Sequence, residues 1–169
     1  MGFGQIATHT VTSAVGTVTL TGIDSDDTYM ISYTNIQGSI NDKYLYLRCQ
    51  ESGSDNTGNN YNYAGRKLKT YSAFQHAYGY NQSVARLTDE KIGDQDQETS
   101  NGIIYIYNAN NSSEFTYWTT ENVTRDGGGN LMSQTGGGAF RVASAVDGFT
   151  FFMQDGNIVS GTLTLYKVT

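Results

Sequence analysis

Apolar residues return at every second position in one short segment after another, and clusters of Gly, Asn, Asp and Ser separate the segments. A period of two puts alternate side chains on opposite faces of an extended chain, so the pattern predicts half-buried strands joined by turns. In Val15–Leu20, Val18 and Leu20 alternate with threonines, and in Thr28–Ile36, Tyr29, Ile31 and Tyr33 alternate with Met30, Ser32 and Thr34. Lys43–Glu51 points Leu45, Leu47 and Cys49 one way and Tyr44, Tyr46, Arg48 and Gln50 the other, which assigns Cys49 to the core. Further strands are expected at Val84–Thr88, Ile103–Tyr107, Glu114–Glu121, Ala139–Ala143, Phe149–Met153 and Gly161–Val168. The best helical window is Ala64–Phe74, whose Lys, Leu and Ala content a helix tolerates.

Many short strands with no helices between them predict two antiparallel sheets packed face to face. The expected fold is therefore all-β and single-domain: an antiparallel β-sandwich, jelly-roll-like, over residues 14–169. Residues 1–13 read as an N-terminal arm, too polar and Gly-punctuated to fold alone. GTVTLTG at Gly16–Gly22 and GTLTLYK at Gly161–Lys167 are nearly the same strand, which suggests two neighbours in one sheet. Proline is absent, so glycine carries the turns, and Gly127–Gly129 and Gly136–Gly138 read as loops or bulges. Neither run leads into a helix start with Lys-Ser or Lys-Thr, which argues against a phosphate-cradling loop.

Composition narrows the setting. A chain of 169 residues fits one domain, and thirteen Tyr and seven Phe make it too aromatic for a disordered one. No run approaches the roughly 18 apolar residues that a spanning helix needs, and Met1–Thr10 has neither a basic nor an apolar signal region, so no membrane partner and no secretion are expected. Cys49 is the only cysteine, which rules out an internal disulfide or a Cys-based zinc site. Synthesis in a reducing cytoplasm is the expectation from that usage. A net charge of −6 repels phosphate, so no nucleic-acid partner is expected.

Candidate chemistry is sparse. Nucleophilic catalysis needs a positioned base, and only His9 and His76 are available, neither near Cys49 in sequence. A glycosidase needs two carboxylates across a sugar; the acids Asp89, Glu90, Asp94, Asp96, Glu98, Glu114 and Glu121 read as solvated turn residues, with Glu114 and Glu121 flanking the strand that bears Trp118. Asp94, Asp96 and Glu98 alternate as calcium ligands do, but Thr99 and Tyr105 stand where an EF-hand loop has Gly and Glu. Asp24, Asp26 and Asp27 form a weaker acidic set, and the N-x-Ser/Thr sites at Asn81, Asn110, Asn111 and Asn122 read as turn composition. The expectation is a protein with no cofactor and no enzymatic activity.

The segment Asn59–Tyr80 is the most distinctive. Tyr61, Tyr63, Tyr71, Phe74, Tyr78 and Tyr80 are interleaved with Asn, Gly and Ser and with Arg66, Lys67 and Lys69. Rings with polar tips beside amides and cations are what contact surfaces use, because each ring buries a large area at small entropy cost. Tyr117 and Trp118 are a second aromatic pair, suited to stacking on a sugar ring.

The closing run Gly148–Tyr166, GFTFFMQDGNIVSGTLTLY, resembles the closing segment of small structural proteins of tailed bacteriophages, especially those of marine cyanobacteria. GTVTLTGID at Gly16–Asp24, YLYLRCQESG at Tyr44–Gly53, NYNYAG at Asn60–Gly65, NGIIYIYN at Asn101–Asn108 and GGGAFRV at Gly136–Val142 follow in the order such proteins show. The resemblance implies a β-sandwich located in the virion: a capsid decoration or cement protein bound to the major capsid protein, forming a homo-oligomer such as a trimer. Its alternative is a tail or fibre module that reads host glycans.

Overall fold

The computed structural model describes residues 2–169. Thirteen strands follow one another: β1 (Phe3–Val11), β2 (Val18–Thr21), β3 (Tyr29–Gly38), β4 (Leu45–Glu51), β5 (Ser54–Asp55), β6 (Tyr61–Lys69), β7 (Ser72–Gln82), β8 (Ala85–Arg86), β9 (Ser100–Tyr107), β10 (Thr116–Arg125), β11 (Leu131–Phe140), β12 (Gly148–Met153) and β13 (Ile158–Val168). They form an eight-stranded sheet, β1-β13-β3-β9-β10-β11-β6-β7, and a five-stranded sheet in which β2, β12 and β4 are adjacent and both β5 and β8 pair with β4. Every pairing is antiparallel.

The wiring is that of a jelly roll. The chain steps between sheets, β1 in the large one, β2 in the small, β3 in the large, β4 in the small, and later β8, β9, β12 and β13 repeat the alternation. Two hairpins, β6–β7 and β10–β11, then widen the large sheet beyond the edge set by β9. Between the sheets lies one core, built from the positions the alternation predicts: Tyr29, Ile31 and Tyr33 of β3 with Leu165 beside them on β13, and, from the small sheet, Leu45, Leu47 and Cys49 of β4 with Phe149 and Phe151 beside them on β12, all essentially without solvent exposure.

Four expectations change on folding. The segment 1–13 is not a free arm: Phe3–Val11 pairs along its length with β13, while Met1 lies outside the described residues. The two similar segments are not sheet neighbours, because β2 pairs with β12 in the small sheet whereas β13 sits between β1 and β3 in the large one. Ala64–Phe74 is no helix but the end of β6, a two-residue turn at Thr70 and Tyr71, and the start of β7. Gly136–Gly138 is no loop, for all three residues lie inside β11 and pair with β10 and β6.

The glycines of that run answer to their neighbours. Gly138 pairs with Trp118 across β10–β11, and a Cβ there would run into the indole ring and the carbonyl oxygen of Asn62. The same relation recurs at Gly79 opposite Tyr63 and at Gly102 opposite Tyr33. In each pair an aromatic side chain packs over a glycine on the adjacent strand, covering backbone that has no side chain of its own.

The small sheet is narrower than the large one, and residues 83–99 cover what it leaves open. Polar side chains on the inner faces of β10 and β11 hold this strap: Asn122 Nδ2 donates to the Leu87 carbonyl at 3.0 Å, and Gln134 Oε1 accepts from the Asp89 backbone N–H at 2.5 Å. Thr88 Oγ1 accepts from the Leu45 N–H at 3.1 Å, tying the strap to the small sheet. Asn122 is therefore a buried strand residue rather than turn composition. Arg86 closes the flank, its guanidinium 4.6 Å from the Tyr44 ring centre and 5.6 Å from that of Tyr63.

Candidate functional site

The outer face of the large sheet, from β3 to β7, carries most of the exposed aromatic and aliphatic surface of the molecule. Alternation puts Tyr117, Thr119, Glu121 and Val123 of β10 outward while Thr116, Trp118, Thr120, Asn122 and Thr124 point in. Register then aligns outward neighbours: Tyr117 beside Ala139, Ala139 beside Asn62, and Ala64 beside Tyr78. Small residues in the middle and tall rings at either side make an open groove, floored by Ala64, Gly137 and Ala139 and walled by Tyr78, Tyr80 and Tyr117.

Towards β3 the groove gives way to a more polar trough lined by Ser32, Thr34, Asn101, Glu121 and Thr135, with Ile103 and Val123 among them. Tyr105, Thr119 and Gly136 bridge the two. The surface thus grades from bare aromatic to mixed hydroxyl, amide and carboxylate across one continuous sheet.

The expected contact residues divide by face. Tyr71, Phe74, Tyr78 and Tyr80 are 56, 65, 80 and 67 % exposed, and Arg66 is exposed with its guanidinium 5.8 Å from the Phe74 ring centre. Tyr61 belongs to the core instead: it is fully buried, its ring 5.2 Å from that of Phe140, and its hydroxyl donates to the Asn56 carbonyl at 2.9 Å while accepting from the Cys49 N–H. Burial raises its phenol well above the usual range. Tyr63 is half-buried over Gly79.

Lys67 is on the inner side of the hairpin, where its ammonium meets Glu90 at 2.9 Å, and Lys69 reaches the same carboxylate at 2.6 Å. Burial pushes the Glu90 carboxyl up, but the two lysines outweigh it and hold the group below the ordinary carboxylate range. Its neighbour Asp89 goes the other way: burial raises it in spite of Arg86 at 3.3 Å. Both acids are therefore structural members of the strap, not solvated turn residues.

Trp118, the expected sugar-stacking ring, is only 4 % exposed and packs on Gly138, so it faces the core; Tyr117, one residue away, faces out. Glu121 is outward in β10, whereas Glu114 lies in the loop before it. Asp94, Asp96 and Glu98 do not converge: Glu98 turns inward and accepts from the Gln95 N–H at 3.0 Å, and no cluster of three or more His, Cys, Asp or Glu suited to a metal occurs among the described residues. Of the second acidic set, Asp27 is engaged by Lys167 at 2.6 Å.

His9 and His76 are exposed on the two edge strands, far in the sheet order from each other. Cys49 is fully buried, and burial lifts its thiol well above the usual range. A thiol held neutral and dry is unreactive. The native protein should therefore resist thiol-modifying reagents, with full labelling appearing only in denaturant; rapid labelling of native protein would contradict this placement.

Sequence reasoning singled out the aromatic segment Asn59–Tyr80 but not its hairpin, and missed the part that β10 and β11 take in the surface. The outward row Tyr117, Thr119, Glu121, Val123 was legible as period-two alternation, while the glycines of β11 carry no periodic signal. No family model, no curated protein and no solved structure matches the chain.

Proposed function

We propose that the protein is a structural component of a phage virion that works by contact, most simply as a decoration or cement protein seated on the capsid shell. The observation that carries the contact reading is the outer face of the large sheet, where Phe74, Tyr78, Tyr80 and Tyr117 stand exposed around a floor of small residues on a rigid two-sheet scaffold. Exposed rings clustered on a fixed platform are what a docking surface requires, since they have a large apolar area still to bury and lose little freedom on binding. The virion setting rests on the resemblance of Gly148–Tyr166 and the segments before it to phage structural proteins.

Labelled electron microscopy of intact virions of the encoding phage tests the reading, with signal expected over the shell. Tyr78→Ala combined with Tyr80→Ala should leave the thermal midpoint almost unchanged, because both rings are exposed, and yet weaken rebinding to stripped particles at least tenfold. Undiminished rebinding would remove the aromatic hairpin from the interface.

The trough favours a second reading, a tail or fibre head that holds a host glycan. Hydroxyls, an amide and the Glu121 carboxylate, two outward positions along β10 from Tyr117, are the partners that a sugar's own hydroxyls and ring faces need. Label at the tail together with a positive glycan array that Tyr117→Ala silences would favour it over the shell.

A further inference from the structure

We infer that copies of this chain join edge to edge, β7 of one pairing with β1 of the next, so that the large sheet runs on from molecule to molecule. The inference rests on the contact reading and adds how the copies are held together. It begins from the two borders of the eight-stranded sheet. β1 pairs only with β13, and along Phe74–Tyr80 β7 pairs only with β6.

Sheet borders in soluble proteins are protected by charge, proline or brevity, because a bare row of N–H and C=O groups is a template for another strand. Neither border is protected in that way. β1 and β7 are 9 and 11 residues long and contain no Asp, Glu, Lys, Arg or Pro, in a chain of which 15% is charged. A bulge at Gln5/Ala7 interrupts β1, but Ala7–Val11 keeps unbroken register, and so does Gln75–Gly79 of β7. Each edge thus offers a straight neutral stretch of matching length.

Direction and charge select the partner. Strands that are antiparallel throughout alternate in direction, so in a sheet of eight the first and last run opposite ways. A copy turned about an axis roughly parallel to the strands therefore presents β1 antiparallel to β7, the arrangement that closes rings. Arg66, on β6 next to β7, is exposed on the outer face, so a β7–β7 pair would bring two copies of that cation towards each other. Asp24 and Asp26, exposed just before β3, lie at the end of the sheet where β1 starts. β7 finishes at that same end, where Arg141 stacks 5.4 Å from the Tyr80 ring centre. The head-to-tail junction puts these opposite charges at one end of the joined sheet, with β13 and β1 between them.

Sedimentation velocity on the purified chain, with no particle present, tests the inference. The wild type should assemble beyond one copy across the micromolar range. Gln75→Lys with His76→Lys should leave single copies, and so should His9→Lys with Thr10→Lys; unchanged circular dichroism and thermal midpoint show that each pair still folds. Mixing the two blocked variants should restore assembly as a 1:1 dimer that grows no further, because one partner keeps an open β1 and the other an open β7. A wild type that stays single, a β1-blocked variant that still assembles, or a mixture that stays single would each overturn the inference. Tyr117→Ala should leave assembly intact while altering the sheet's face, so failure of the edge junction and failure of the contact surface are told apart.

Discussion

Gly138→Val should cost the protein about 3 kcal/mol of stability, read as a shift of the denaturant midpoint, because overfilling a packed site commonly costs 1–3 kcal/mol and here backbone is also in the way. The new Cβ would meet both the Trp118 ring and the Asn62 carbonyl oxygen, and a carbonyl held between two strands of a sheet cannot swing aside as a flexible side-chain tip does. The sheet must either part between β11 and β6 or push the indole out of the core. A double-mutant cycle separates the two causes. Trp118→Ala alone should cost about 3–5 kcal/mol through the cavity it leaves. Joined with Gly138→Ala, the total should fall short of the sum of the single costs, since the added methyl occupies space the indole vacates. Strict additivity would show that the ring over glycine is not what restricts the site.

Glu90→Gln comes next in size, with an expected loss of about 1.5–3 kcal/mol, the range for hydrogen bonds to charged groups. One carboxylate serves both Lys67 and Lys69, all three side chains are largely buried, and the neutral amide leaves the two ammonium groups without the carboxylate they share. The pH dependence has a definite sign. Because the folded protein holds the Glu90 carboxyl below its ordinary range, its contribution is fully present above that range and is lost as pH falls through the lowered folded value. Asp89 acts oppositely: its carboxyl is raised on folding, so the charged form costs stability above that raised value, and acidification towards the ordinary range relieves the cost. Asp89→Asn should then be at least as stable as wild type at neutral pH and lose that advantage in acid. Glu90→Gln should instead flatten the acid-side decline. Urea titrations at a series of pH values read both, and equal pH profiles for the two variants would refute the assignment.

Both predictions concern the strap and the hairpins, the parts that sequence reading saw least. For the core strands, alternation was enough. Val18 and Leu20, Tyr29 to Tyr33, and Leu45 to Cys49 are buried on the side that period two assigns, since a strand between a dry and a wet layer leaves each residue only one environment. The aromatic hairpin was visible as composition, but its division was not. Tyr61 and Tyr78 look alike in the chain, yet one seals the core against Phe140 and the other is bare, because strand register and the irregularities in β6–β7 pairing decide the face. Trp118 was placed outside on chemistry alone; the glycine that receives it lies twenty positions later, on another strand.

What the sequence determined by itself is local and repetitive: extended segments, their dry sides, the turns at glycine and asparagine, and a jelly-roll-like sandwich as the way to bury so many short dry sides. What only the tertiary structure decided is which strands meet. Pairing across long stretches of chain depends on backbone hydrogen bonds that every residue except proline offers equally, so side chains do not announce it. Hence β2 and β13, near twins in sequence, part into opposite sheets, the N-terminal residues become an edge strand, and a run of three glycines becomes part of β11, with Gly137 in the floor of the groove.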